Sequence, residues 1–213
     1  MKTYPSISGP HSAQNDLAYA FVKYDGSNIR AEWSKKRGWY KFGTRKTMLD
    51  VSHPIYGFAV TQFLEKYGDA LPKVFTTKKP FQGVDSVVVF AEWFGAQSFS
   101  GAHKPWDTKD IVLFDVNTMK KGMLGPKEFI DLFGHLKVAE VVWNGIIDEE
   151  FVQAVRKEEI DITSKFDVRP EIPEGVVCKG GTGHRLWMVK IKTERYKDAL
   201  KKIYEKDWTL YWE

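Results

Sequence analysis

A chain of 213 residues, 43% apolar and 15% aromatic, can bury a sizeable core; this argues against disorder and suits one large domain or two small ones. Its net charge of +4 permits a polyanionic partner without requiring one. The lone cysteine, Cys178, excludes an intrachain disulfide and a thiolate zinc cluster. The N-terminal MKTYPSISGP lacks an apolar signal core and no apolar stretch approaches ~20 residues, so a soluble cytoplasmic protein without a membrane partner is expected.

In chain order, residues 18–24 (AYAFVKY) read as a strand. Residues 27–33 and 38–44 read as two more, joined by KKRG, where Gly38 supplies the backbone freedom of the turn. The apolar spacing of 58–71 (FAVTQFLEKYGDAL) predicts a helix. The β-branched and aromatic run 86–95 (SVVVFAEWFG) predicts a buried strand, and 110–116 (DIVLFDV) another. A helix over 125–136 opens on Pro126, a strand follows at 138–143, and 148–159 has acids first and bases later, as a helix dipole prefers. Strands at 174–180 and 185–193 flank the glycine-rich GGTGH, and 194–206 is a last helix. Strands in succession and helices in blocks predict an α+β fold of antiparallel sheets flanked by helices, in one domain covering 1–213.

Several charges sit where a core is expected. Lys23 closes an apolar run just before Asp25-Gly26, and a two-residue spacing on a strand would put Lys23 and Asp25 on one face. Taken alone, KYDG is ordinary hairpin chemistry. Lys190 and Lys192 alternate on a strand whose other residues are Trp187, Met188, Val189 and Ile191, so two cations emerge from a buried element and call for an anion or a wet cavity. Glu92 and Asp115 pose the same problem with the opposite sign, and a structural salt bridge answers it as well as a metal does. His103 and His184 lack metal-ligand spacing and read as surface or loop residues.

In order, VKYDGSN (22–28), GTR (43–45), FAEWFG (90–95), VLFDV (112–116), EGVVCKG (174–180) and WMVKIKT (187–193) resemble the motifs of the covalent nucleotidyltransferases. That superfamily comprises ATP-dependent DNA ligases, RNA ligases and mRNA capping enzymes, and the likeness is nearest to the RNA ligases of phages and RNA-editing systems. The resemblance implies an adenylyltransferase domain with an ATP-grasp-like core, ATP as co-substrate, and Mg or Mn. Lys23 resembles the nucleophile that takes AMP, with Val22 beside it. Asn28 and Arg45 resemble the contacts to the ribose and the 5′-phosphate end, and Glu92 the acid that reaches the ribose or a metal-bound water. Phe114 resembles the ring that stacks on adenine, Glu174 the metal-associated acid, and Lys190 and Lys192 the holders of the α-phosphate. Asp25, Glu92 and Glu174 are the implied metal set. Asp25 departs from the histidine of some phage RNA ligases, which leaves the choice between RNA and DNA strands open.

The chemistry expected of Lys23 follows from its amine. A lysine of reference pKa ~10.4 is neutral in about one molecule in a thousand near pH 7, and lowering the pKa enough to reverse that takes about 4 kcal/mol. Crowding by Lys190, Lys192 and a metal ion, with desolvation under aromatic walls, would supply it. The basic stretch KKRGWYKFGTRK, with Trp39, Tyr40 and Phe42, suits a phosphate backbone and stacked bases, and a solvated hairpin accounts for it too. Only 21 residues follow Lys192, so neither a C-terminal OB domain nor a helical domain is expected. The expected partner is nicked or broken RNA, or an RNA/DNA hybrid duplex, with a repair partner protein supplying nick sensing. A minimal DNA or mixed-strand ligase and a non-catalytic nucleic-acid-binding relative are the rival readings.

Overall fold

The computed structural model of the chain describes residues 1–97, 100–101, 103–167 and 172–212. The chain divides into two compact units, one made of 1–5, 27–93 and 110–138, the other of 6–26, 94–109 and 139–213.

The first unit is built on a six-stranded sheet, β4-β3-β2-β5-β6-β7. β2 (Gly26–Ser34) and β3 (Gly38–Gly43) form the antiparallel hairpin expected from KKRG, with Gly38 at φ 66. β4 (Met48–Leu49) and β7 (Gly122–Met123) are short edge strands without a pattern in the sequence. β5 (Ser86–Phe94) and β6 (Asp110–Thr118) are almost wholly buried, as their Val- and Phe-rich sequences require. The single helix expected over 58–71 is two helices, α1 (Gly57–Tyr67) and α2 (Ala70–Thr77). α3 (Pro126–Phe133) opens on its proline. Phe75, Phe81 and Phe133 contact one another, and Trp39 joins Phe75 to Phe63, which also touches Phe42 and Tyr67. The Tyr67 hydroxyl donates to Lys137 O at 2.6 Å and accepts from Leu113 N–H at 3.1 Å, which fastens α1 to β6 and its flanking loop.

The second unit holds a four-stranded sheet, β10-β9-β1-β8. β1 (Leu17–Lys23) runs antiparallel to both β8 (Val141–Ile146) and β9 (Gly175–Gly180), and β10 (Trp187–Lys192) completes it against β9. The strand expected at 138–143 begins three residues later. One sheet face carries Ala18, Ala20, Val176, Cys178, Val189 and Ile191, covered by Phe151, Val152 and Val155 of α4 (Glu149–Arg156). The α4 N-terminus is capped by Asp148, which accepts from Phe151 N–H at 2.8 Å. α5 (Glu194–Tyr204) is capped by Thr193 in the same way, and α6 (Thr209–Trp212) follows a short 3₁₀ turn.

KYDG is not a hairpin. β1 and β2 lie in different sheets, and Tyr24 and Asp25 are the link by which the chain leaves one for the other. Lys23 is the last residue of its strand and Asp25 lies outside it, so the alternation expected to put both on one face does not apply. Among the described residues no helix is long and apolar enough to cross a membrane.

Candidate active site

Strand register assembles the lysines. Lys23 of β1 and Lys192 of β10 both pair with Gly175 of β9, so they flank it in one rank across three strands and share a face. Glu174, the residue before β9, receives both: its Oε1 lies 2.8 Å from Lys23 Nζ and 3.3 Å from Lys192 Nζ. The carboxylate is buried and the Lys23 side chain is 23% exposed, so the amine is held from below and reachable from above. Lys190, half-buried, is paired with Val177 two residues along the same face.

Gly175 makes this approach possible. Its φ is 138, and a Cβ there would stand 2.0 Å from Ile191 O and 2.8 Å from Lys192 Cα. Only a residue without a side chain lets β10 come close enough for Lys192 to reach the carboxylate.

Burial is the main influence that lowers the Lys192 pKa, with Lys23 and Lys190 adding to it and Glu174 opposing them. Its ammonium also donates to Tyr211 O at 2.9 Å and lies over the rings of Tyr196 and Trp212. Lys179 sits on the same sheet face as Gly175 and Val177, 3% exposed, its ammonium 4.8 Å from the Phe21 ring centre. Strand alternation through Gly175, Val177 and Lys179 is the sequence signal for this placement.

Two of the expected residues make contacts within the scaffold. Asp25 Oδ2 accepts from Ser100 N–H at 2.9 Å and Ser100 Oγ–H at 2.7 Å, while Oδ1 accepts from the Tyr196 hydroxyl at 3.0 Å. Three donors on a carboxylate that is 5% exposed give it a structural task. Asp25→Asn puts an amide N–H₂ against these donors and is expected to destabilise by about 2–4 kcal/mol, read from urea unfolding. Val22 alternates with Lys23: it pairs with Val176 of the core face, is buried, and gives its N–H to Glu140 O at 2.8 Å. Its side chain therefore turns away from the lysines.

Asn28, Arg45, Glu92 and Phe114 belong to the other unit. Phe114 is half-exposed in the middle of an otherwise buried β6, with the Tyr4 ring packed edge-on at 5.0 Å. The Tyr4 hydroxyl donates to Asp115 Oδ2 at 2.6 Å, which satisfies the buried acid noted in the sequence. Burial, then Asp115, holds the Tyr4 pKa well above its ordinary value; Glu92 pushes it the same way and Arg45 opposes, so both charges are felt at this hydroxyl. Tyr4 lies in an N-terminal segment whose sequence gives no sign of it. Glu92 is half-buried in β5, and Arg45 is exposed in the β3–β4 turn, donating to Pro5 O at 3.5 Å. Asn28 has its side-chain Oδ1 buried without a hydrogen-bond partner, an arrangement that costs about 1–3 kcal/mol unless a ligand fills it.

The basic aromatic stretch is used differently from the expectation. Trp39 packs on Phe63 and donates to Gly68 O at 2.9 Å, and Phe42 packs on Phe63. Tyr40 keeps cations over its ring, Arg37 at 5.2 Å and Lys41 at 5.4 Å. His103 is buried between Asp107 and Asp167 rather than at the surface, whereas His184 is exposed.

A family model described as RNA ligase matches residues 18–201. The chain belongs to the RNA ligase family. No curated protein matches it. Among solved structures it is similar to the RNA ligase of Naegleria gruberi. The form with PPi gives 13% identity and a TM-score of 0.66 over 97% of this chain. A mutant with ATP and Mn gives 14% and 0.65 over 96%; a mutant with AMP and Mn gives 13% and 0.64 over 92%. The chain covers 57–59% of the length of those proteins. At such identity the likeness speaks for the fold: the antiparallel sheets and helices are those of this family's nucleotidyltransferase core.

Proposed function

We propose that this family member is an ATP-dependent RNA ligase joining 3′-hydroxyl and 5′-phosphate ends. The observation that carries the reading is the Lys23–Glu174–Lys192 cluster, in which one amine is reachable and two cations share one buried acid. The solved relatives carrying ATP, AMP, Mn or PPi support the choice of co-substrate and metal.

In the first step the Lys23 Nζ lone pair attacks the α-phosphorus of ATP. The N–P bond forms as the bond from that phosphorus to the pyrophosphate oxygen breaks, and pyrophosphate leaves. The amine proton passes to Glu174 Oε1, the acceptor 2.8 Å away, and on to water. Lys190 and Lys192 offset the charge that builds on the phosphoryl oxygens. In the second step a 5′-phosphate oxygen of the strand takes the AMP and frees Lys23. In the third, the 3′-hydroxyl attacks that 5′-phosphorus, the phosphodiester forms and AMP departs.

Phe114 is the proposed stacking surface for adenine, Asn28 and Glu92 the proposed ribose contacts, and Arg45 the proposed contact to a phosphate. The orphaned Asn28 Oδ1 and the half-open Phe114 support this assignment. For Mg or Mn, no group of three or more His, Cys, Asp and Glu side chains among the described residues forms a cage. A sparse oxygen set still fits, because such ions bind through one or two carboxylates, with phosphate oxygens and water completing the shell. Glu174 would hold the ion, with Glu92 the second candidate. When bound, the ion polarises the phosphoryl oxygens. Cys178 is buried and unpaired, which suits work in the reducing cytoplasm.

The test is intact-mass measurement of the wild-type chain after incubation with ATP and Mg or Mn, followed by a panel of nicked RNA, DNA and RNA/DNA hybrid duplexes. The expected result is a mass gain of one AMP and sealing that is fastest on RNA ends. An unchanged mass under both metals defeats the reading.

A further inference from the structure

Lys23 is the last residue of β1, and the chain leaves it at once for the other sheet. On one side its backbone is held by β9, where it pairs with Gly175. On the other side the ladder to β8 stops at Phe21 and Val141. Glu140, the residue before β8, carries the contact further. Its carbonyl accepts from Val22 N–H at 2.8 Å, and its carboxylate Oε2 accepts from the Tyr24 hydroxyl at 3.2 Å. One residue thus grips both neighbours of the reacting lysine.

Glu140 is itself held. Its Oε2 also accepts from Ser164 Oγ–H, and its Oε1 accepts from Lys165 N–H at 3.3 Å. Ser164 Oγ lies 2.7 Å from the Tyr24 hydroxyl and accepts from Phe166 N–H at 3.0 Å and Asp167 N–H at 3.2 Å. Tyr24 and Ser164 are 6% and 7% exposed, so these bonds form away from water, where they are strong and specific. Burial raises the Tyr24 pKa above its ordinary value; the Ser164 bond opposes this and Glu140 adds to it, so the phenol keeps its proton and stays a donor. Packing alone does not call for these oxygens. The Tyr24 ring lies 4.7 Å from that of Phe94, a contact phenylalanine would make equally well. A buried hydroxyl is costly unless bonded, and this one is bonded to the residue that spans Lys23.

We propose that Glu140, acting through Tyr24 and Ser164, positions Lys23 for its attack, so that these three are positioning residues of the reaction. A long side chain magnifies at its amine any movement of its root, and a misplacement near 1 Å at the reacting atom costs on the order of 100-fold in rate. A strand end is where such movement is easiest. The network fixes the root on the side that β8 has left, while Glu174 fixes the amine from the end of β9. The three residues are assigned no contact to ATP, so their loss lowers the rate at saturation and leaves nucleotide affinity as it is. The inference rests on the ligase reading for the identity of the reaction, and on the network itself for the placement of the amine.

Single-turnover lysyl-AMP formation by the full chain, followed against ATP concentration with Mg, tests it. Tyr24→Phe removes one oxygen and keeps the ring. It is expected to lower the maximal rate by roughly tenfold or more and to move the half-saturating ATP concentration less than twofold. Ser164→Ala is expected to do the same. Tyr67→Phe is the control: it too removes a buried hydroxyl, the one bonded to Lys137 O and Leu113 N–H in the other unit, and is expected to react at the wild-type rate. A purely structural role would make the two tyrosine variants alike. Trace acetylation with acetic anhydride, mapped by mass spectrometry, reads the Lys23 amine without ATP. Its labelling relative to exposed Lys120 is expected to rise at least threefold in Tyr24→Phe, as the amine moves off Glu174. A smaller loss of rate in Tyr24→Phe, an equal loss in Tyr67→Phe, a rise in half-saturating ATP that matches the loss of rate, or unchanged labelling of Lys23 would each overturn the proposal. The two claims fail separately. Absence of lysyl-AMP in wild type sinks the ligase reading and leaves the labelling to decide the placement; normal lysyl-AMP formation in both wild type and Tyr24→Phe sinks the positioning alone.

Discussion

Lys23→Ala is expected to leave a folded protein that gains no AMP from ATP, with lysyl-AMP formation lower by on the order of 10⁴-fold or more, as when a covalent nucleophile is removed from other enzymes. Lys192 cannot stand in for it, being buried and committed to Glu174 and to Tyr211 O. The fold should survive because Lys192 still compensates Glu174, and loss of a side chain that is 23% exposed from such a pair costs about 1 kcal/mol. Lys23→Arg sharpens the test. It keeps a cation against Glu174, yet a guanidinium stays protonated at any working pH and offers no lone pair. Both variants should therefore be dead in the mass assay while melting close to wild type. An AMP adduct on Lys23→Ala, mapped to another residue, would remove Lys23 from the mechanism and return the cluster to a purely structural role.

The parts of the fold that were legible in the sequence are those set by local physics. The β2–β3 hairpin was readable because KKRG ends in a glycine that the turn needs at positive φ, and β5 and β6 because runs such as VVVFAEWF have no alternative to burial. Helix α4 announced itself through its charge gradient, acids first and bases later. What escaped was set by distant partners. That β1 is flanked by β8 and β9 rather than by β2 depends on pairings more than a hundred residues apart, to which the adjacent Asp-Gly gives a misleading local answer. Cations surround Trp39 and Phe42 in sequence and suggest a stacking surface; the aromatic faces of α1 and α2 claim them instead. The site divides along the same line. Alternation put Lys190 and Lys192 on one face, but the shared acid, Glu174, and the spent acid, Asp25, look alike in sequence. Each is a carboxylate beside a glycine, and only the donors around them tell them apart.

The second large effect belongs to a residue with no side chain. Gly175→Ala places a Cβ 2.0 Å from Ile191 O and 2.9 Å from its carbonyl carbon, both backbone atoms of the neighbouring strand that cannot swing aside as a side-chain tip would. It does so at φ 138, where an L residue is strained whatever the space. Strain of about 1–3 kcal/mol and overpacking of similar size together predict a loss of about 3–5 kcal/mol, a fall in Tm of roughly 10–15 °C for a chain of this size. Gly38→Ala calibrates this within the same protein: its φ is also positive, at 66, but nothing lies within 4 Å of the added atom, and about 1 kcal/mol is expected. The difference between the two variants is the energy of strand approach at the rank that joins Lys23 and Lys192. Relief of the clash moves β10 outward and draws Lys192 away from Glu174. At a temperature where Gly175→Ala is still folded, lysyl-AMP formation should therefore fall by on the order of 100-fold, the penalty of a misplacement near 1 Å. Gly38→Ala should react at the wild-type rate. If Gly175→Ala instead melts and reacts as Gly38→Ala does, the close approach of β10 to β9 is not what assembles the site.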